Sequence, residues 1–286
     1  MAKPKVFCAT LCAFLAISSN ATLPSEVKTP QRPLIELGIG AGGGMIEDYP
    51  AADQSQLHYL VLPAARYRGE IFRADEQDGY RAELIKDYHY ELNLSFGGSF
   101  PANSEKNRAR AGMPNLDWTA EVGPRFNYYF MRDHENRLRI GLPLRAVFTT
   151  NFQYLKGIGA TCAPEVEYQR SQVLCSTCIL SSSLTTSFVS QETARFFYEV
   201  EAAYETADRP RFTAHQGYLG SDLTEVLIIN WDRSVLYLGF TYSNRSGSAN
   251  HESSLYKRDL NWNVFAAFSW YFAESLQREQ PESHSY

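Results

Sequence analysis

Beyond its N-terminus, the 286-residue chain has no apolar run approaching the ~18 residues of a helical membrane span. With a mean hydropathy of -0.34, that excludes a multispanning helical protein. It does not exclude a transmembrane β-barrel, whose strands alternate and average to a soluble-looking hydropathy. Basic residues are not in surplus: 27 Lys and Arg stand against 32 Asp and Glu, so no nucleic-acid-binding surface is expected. The glycines of Gly40–Gly44 precede neither a P-loop lysine nor a dinucleotide-binding pattern, and no cofactor is expected. Cysteine is sparse, five in all, with no second C-x-x-C or spaced His pair to complete a metal site.

The one apolar run reads as an export signal. Lys3 and Lys5 form a basic start, Val6 to Ile17 is apolar apart from Thr10, and Ser19-Asn20-Ala21 offers small residues for cleavage after Ala21. Residues 1–21 are therefore expected to be a signal peptide, with 22–31 a periplasmic N-terminal segment. Cys8 and Cys12 leave with the signal, so Cys162, Cys175 and Cys178 remain. Cys175-Ser176-Thr177-Cys178 has the spacing of a redox pair or half a zinc site, but an oxidising compartment favours one structural disulfide and a leftover thiol. A turn centred on Arg170 places Cys162 opposite Cys178. Cys162–Cys175 after a bulge, and a small Cys175–Cys178 ring, are the alternatives.

What the chain has is aromatics, 18 Tyr and 17 Phe, and alternation. Trp262, Val264, Ala266, Phe268, Trp270 and Phe272 share one face of a closing strand, opposite Asn261, Asn263, Phe265, Ala267, Ser269 and Tyr271. Trp262 at one end, with Trp270 and Phe272 at the other, predicts interfacial girdles on a lipid face that includes Phe268. The same period runs through 35–42, 88–97, 116–131 and 137–148. In a soluble sandwich the apolar faces would meet each other; in a barrel they meet lipid. Segments this long, and charges of both signs on the polar faces, favour the barrel. Glu121, Arg125, Arg139 and Arg145 are expected in the lumen, with Glu121 directly opposite Arg145 if the hairpin centres near Asp133. Pro63, Pro124 and Pro143 lack the N–H a closed sheet needs, and bulges are the expected accommodation.

Connection lengths then predict topology. Short turns near 67–70, 86–88, 131–136, 169–172 and 231–234 alternate with longer connections at 45–56, 75–79, 99–115, 150–156, 190–221 and 245–259. That gives an all-β, antiparallel, up-and-down transmembrane barrel of about 12 strands over residues 32–272, followed by a polar periplasmic tail, 273–286. Strands at 69–75, 80–86 and 157–168 are the weakest. Within 190–221, Ala194 to Thr206 approximates helical spacing, and a strand extension over Arg195–Glu201 is the alternative.

Catalytic candidates are few. His251-Glu252-Ser253-Ser254 lies in a polar loop, where adjacent residues do not normally form a triad. His58 and His89 face the lumen in this register and could meet Glu36 or Glu91. Structural histidines are commoner, and an enzyme is not expected.

Four segments carry a resemblance. They are Gly38 to Arg68, with Asp48-Tyr49-Pro50 and Ala65-Arg66-Tyr67; Arg110-Ala111-Gly112-Met113-Pro114-Asn115-Leu116-Asp117, with Glu121-Val122-Gly123-Pro124 after it; Phe197-Tyr198-Glu199-Val200; and Ser253-Ser254-Leu255-Tyr256-Lys257-Arg258-Asp259 before the closing strand. In order and spacing the chain resembles the MipA/OmpV family of outer-membrane proteins, whose members include a scaffold that binds a murein-degrading transglycosylase. The resemblance implies a Gram-negative outer-membrane location among lipid, and a non-enzymatic scaffold with a murein hydrolase or synthase complex as partner. A narrow pore for small solutes is the alternative.

Overall fold

The computed structural model describes residues 32–279, apart from 70–71 and 76–78. The signal peptide, Ala21, the 22–31 segment and residues 280–286 lie outside the described residues. Thirteen strands form one sheet: β1 (Ile35–Glu47), β2 (Ser55–Arg68), β3 (Phe72–Asp75), β4 (Gly79–Lys86), β5 (Tyr90–Ser99), β6 (Trp118–Arg132), β7 (Asn136–Thr150), β8 (Leu155–Cys162), β9 (Glu165–Ser171), β10 (Cys178–Val189), β11 (Gly217–Asn230), β12 (Ser234–Asn244) and β13 (Leu260–Glu274). Every pairing between them is antiparallel, and β1 pairs with β13, so the sheet closes. Strands β8 and β9 both pair with β7 and with β10. They are two halves of one stave interrupted at Ala163–Pro164, and the barrel has twelve staves, as the connection lengths predicted.

Period 2 puts the apolar set outside. Trp262, Phe268, Trp270 and Phe272 are all about half exposed on the outer face, whereas Asn261 and Tyr271 on the opposite face are buried. This inverts the soluble pattern, as expected of a barrel whose apolar face is turned to lipid rather than to protein. Strand β13 also runs past the expected end at Phe272. Its ladder reaches Glu274, and the chain beyond continues along β1: Ser275 N donates to Ile35 O, and Leu34 N donates to Gln277 O. The first residues of the expected tail thus belong to the seam.

None of the three prolines is accommodated by a bulge. Arg68 N donates to Leu34 O, which turns the backbone groups of odd-numbered β2 residues away from β1. Pro63 is one of these, and among the described residues β3 pairs with β2 only at Tyr67 and Arg68, so its missing N–H faces an edge with no described partner. Pro143 points toward the β8/β9 stave, where Ala163–Pro164 breaks the strand and Ala163 N donates to Pro143 O. Pro124 sits where the β6–β7 ladder skips from Val122–Ala146 to Arg125–Pro143 without a change of register.

Two clusters of buried apolar side chains exist. One, at the long-loop end, gathers Tyr49, Leu116, Ala194, Tyr198, Val200 and Leu255 among others. A smaller one in the lumen holds Ala64, Ile179, Ile228, Val235 and Tyr271.

Candidate functional site

The long loops build a solid cap. In the 190–216 connection, helix α1 (Gln191–Tyr198) starts on Ser190, whose Oγ accepts from Thr193 N. Helix, not strand, therefore occupies the first half of this loop, beginning three residues earlier than its periodicity suggested. Its last residue, Tyr198, is fully buried and donates from its hydroxyl to Pro50 O at 2.8 Å. Tyr49 donates to Leu255 O at 2.8 Å, Ser253 Oγ to Tyr198 O at 2.9 Å, and Asn107 Nδ2 to Asp48 Oδ2 at 2.7 Å. Arg110 Nη1 donates to Phe197 O at 3.1 Å, and its guanidinium lies over the Tyr49 ring. Burial, opposed by Tyr49 and reinforced by Arg209, lowers the Arg110 pKa to about 10, so it stays charged at neutral pH. Burial raises Tyr198 well above a normal phenol, so it remains a hydrogen-bond donor. Each of the four sequence segments that carried the family resemblance contributes to this cap, through Tyr49-Pro50, Arg110, Phe197-Tyr198 and Ser253–Leu255, whereas Ala65-Arg66-Tyr67 and Glu121–Pro124 lie on β2 and β6.

Beneath the cap, Arg245 binds the rim. Its Nη2 lies 3.1 Å from Glu47 Oε1 and 2.9 Å from Asp222 Oδ1. The guanidinium lies over Gly220, where an added Cβ would meet Arg245 Cδ at 2.5 Å. Burial alone would lower the Arg245 pKa, but Asp222 and Glu47 outweigh it and hold it above its ordinary value.

One half of the lumen carries an ion-pair ladder. Arg145 Nη1 lies 3.6 Å from Glu121 Oε2, and its Nε donates to Ser95 Oγ at 3.0 Å. Arg125 Nη2 meets Glu165 Oε1 at 2.5 Å, and Arg139 pairs with Glu167. Glu121 is not directly opposite Arg145, however. Its cross-strand partner is Val147, because the β6–β7 turn centres beyond Asp133 and a bulge lies between Tyr129 and Met131. The ion pair forms along the diagonal.

The disulfide expectation is corrected. Cys175 pairs with Cys178, and Cys162 is free. The β9–β10 turn occupies 172–177, not 169–172, with Gln172 N donating to Cys178 O. In that register Cys162 lies opposite Phe188, at the far end of β10 from Cys178. The C-x-x-C is the turn itself.

The catalytic candidates are not assembled. Ser253 Oγ is committed to Tyr198 O, and His251 Nδ1 lies 3.0 Å from Ser248 O. His58 stacks on Phe100 with ring centroids 4.7 Å apart, and His89 Nδ1 lies 3.3 Å from Tyr129 O. Glu36 takes Arg66 and Arg68, while Glu91 accepts from Asn93 and Tyr129. Among the described residues, no three His, Cys, Asp or Glu side chains converge as a metal site would require. A cleft of about 300 Å³ on the cap is lined by Arg108, Arg209, Lys257 and Asp208 among others.

Arg245, Arg66 and Tyr198 were not singled out individually by sequence reasoning. For Tyr198 the resemblance motif was the available signal; Arg245 follows a strand end and carries no local one.

Among curated proteins none matches the chain. Among solved structures it is similar to the COG4313 outer membrane channel from Pseudomonas putida F1, at 8% identity and TM-score 0.42, over 87% of this chain and 99% of that one. It is also similar to the NanC porin, at 9% identity and TM-score 0.37, over 82% and 100%. The beta domain of the Bordetella autotransporter BrkA matches at 11% identity and TM-score 0.38, over 84% and 100%. Likenesses this distant carry no ligand or activity across. The profile of a family described as MltA-interacting protein MipA matches residues 39–272, nearly all of the barrel. The chain is an outer-membrane β-barrel belonging to the MltA-interacting protein MipA family.

Proposed function

We propose that the chain is a non-enzymatic, non-conducting anchor whose short-turn end offers a docking surface to a murein-cleaving or murein-synthesising enzyme. Family membership is the observation that carries this reading, since the family's description names an interaction with MltA. The cap and the ion-pair ladder support the non-conducting part: a mouth roofed by buried Tyr49, Tyr198 and Leu255 leaves little path for solute. Residues 1–21 serve as the export signal, cleaved after Ala21, and the short turns face the periplasm. Trp262, Phe268, Trp270 and Phe272 face lipid, and no cofactor takes part.

Crosslinking in intact envelopes, followed by pull-down of the mature barrel, tests the scaffold. A murein hydrolase or synthase captured through the short turns is the expected result. Reproducible single-channel conductance from the purified barrel would replace this reading with the small-solute pore.

A further inference from the structure

Among the described residues, the barrel wall is incomplete on one side. Between Arg68 at the end of β2 and Tyr90 at the start of β5, the chain has only 21 residues (69–89) for two strands and their turns. Strand β3 is accordingly four residues long, and it pairs with β2 only at Tyr67 and Arg68. The β4–β5 ladder stops at Ala82–Leu94. Toward the long-loop end, the odd-numbered backbone groups of β2 from Leu57 to Ala65 face no neighbouring strand among the described residues. Higher still, the gap is bridged by the His58–Phe100 stack and by Gln54 Nε2 donating to Lys106 O. The result is a window, bounded above by the cap and below by the short hairpin.

Its lining is chemically distinct from the ladder side. Arg66 and Ala64 are buried on the inward face of β2, so Leu62 and Leu60 share that face. Both inward leucines are nevertheless open, 53% and 37% exposed, as are Tyr59 and Val61 on the outer face. Behind them the inward face of β1 is glycine at this depth, Gly40 opposite Leu62 and Gly42 opposite Leu60. Two leucines over a bare glycine strand, at the depth of the outward Leu57–Val61 band, form a slim apolar trough that opens sideways.

We propose that this window admits an acyl chain of the surrounding lipid, which lies along Leu60 and Leu62 against the glycine face of β1. A docking strand fits less well, because Pro63 has no N–H to give at the middle of the edge and the His58–Phe100 bridge closes its upper end. Water fits poorly against two leucines, whose burial by a hydrocarbon chain is favourable. Hydrocarbon is also the medium immediately outside the wall. The proposal is independent of any murein partner.

The unmodified mature barrel, reconstituted in bilayers containing phosphatidylethanolamine with a diazirine-bearing acyl chain, is photolysed and its adducts are mapped by mass spectrometry. On β13 the intact wall serves as the internal control: adducts are expected at Val264 and Phe268 and not at inward Phe265 or Ala267. On β2 the expected result is labelling of both faces, with Leu60 and Leu62 modified as heavily as Tyr59 and Val61. Adducts confined to the odd-numbered residues would mean the trough is shut to lipid or filled with water. Absence of adducts from β2 altogether, with β13 labelled normally, would mean that protein covers the window. Either result overturns the proposal.

Discussion

Arg245 and Glu47, 198 residues apart in sequence, are joined at 3.1 Å beneath the cap, with both side chains buried. The pair ties the end of β12 to the end of β1, and Asp222 on β11 shares the same guanidinium. A buried carboxylate that loses its cation keeps the cost of desolvation without the compensating attraction. Arg245→Met is therefore expected to destabilise the barrel by ~3–5 kcal/mol. Urea unfolding of the folded barrel measures this directly. An unchanged midpoint would mean that the rim network is dispensable.

Tyr198→Phe removes one hydroxyl from a fully buried ring and leaves Pro50 O without its donor. The expected loss is ~1–3 kcal/mol, confined to the cap, because the staves do not depend on this contact. Limited proteolysis in the 190–216 and 48–54 loops should quicken while the barrel stays protease-resistant. Unaltered cleavage of both loops would count against a cooperative cap.

On the closing strand, Phe268→Arg or Trp270→Arg puts a charge on the outer face and should cost up to ~2–4 kcal/mol at mid-bilayer, less near the interface. Ser269→Arg, whose side chain points inward beside Gly40, should cost less. Equal assembly yields for the inward and outward variants would contradict the assigned faces.

Glu225 lies on the outer face between Leu223 and Leu227, where Ser182 Oγ donates to it at 2.5 Å. A carboxylate among outward-facing leucines is unfavourable if that face meets the bilayer, so Glu225→Leu combined with Ser182→Ala should raise stability by up to ~2 kcal/mol. A drop in the unfolding midpoint would instead mark this pair as an internal contact of a larger assembly.

Non-reducing peptide mapping should recover a Cys175–Cys178 bridge and a free Cys162 thiol, with Cys162→Ser leaving the map unchanged. The ring is small, so reduction should alter overall stability little. Recovery of a Cys162–Cys178 peptide would require a different β9–β10 register.

Strands with an apolar outer face and a polar inner one were legible because period 2 is a local property. Strands β13, β6 and β7 announce themselves in their own residues. Strand β9 was harder: Glu165 and Glu167 are polar because Arg125 on β6 and Arg139 on the adjoining β7 meet them on the lumen side, and Gln169 donates to Glu167. Taken alone, that stretch looks like the approach to a turn. The misplaced turn then misplaced Cys162. The cap was illegible for a related reason. Tyr49, Tyr198 and Leu255 are single apolar residues in polar loops, and the two tyrosines donate to backbone carbonyls of other loops, Leu255 O and Pro50 O. No spacing rule encodes that. Only the motif segments pointed to these residues, without saying that they meet.

The seam between β1 and β13 has a consequence for the order in which the chain can fold. Ten residue pairs join strands more than 200 residues apart, from Glu36–Glu274 to Met45–Val264. Every other stave can zip onto the one made just before it, at the modest entropy of closing a short turn. The seam cannot form until the whole chain is present, and the long sequence separation of its partners makes it the step expected to be slowest. Until then both β1 and β13 are open edges, able to pair with another nascent chain. Loss of even the last strand would leave not a smaller barrel but an unclosed sheet, and the quality of assembly rests on how quickly the two ends of the polypeptide find each other.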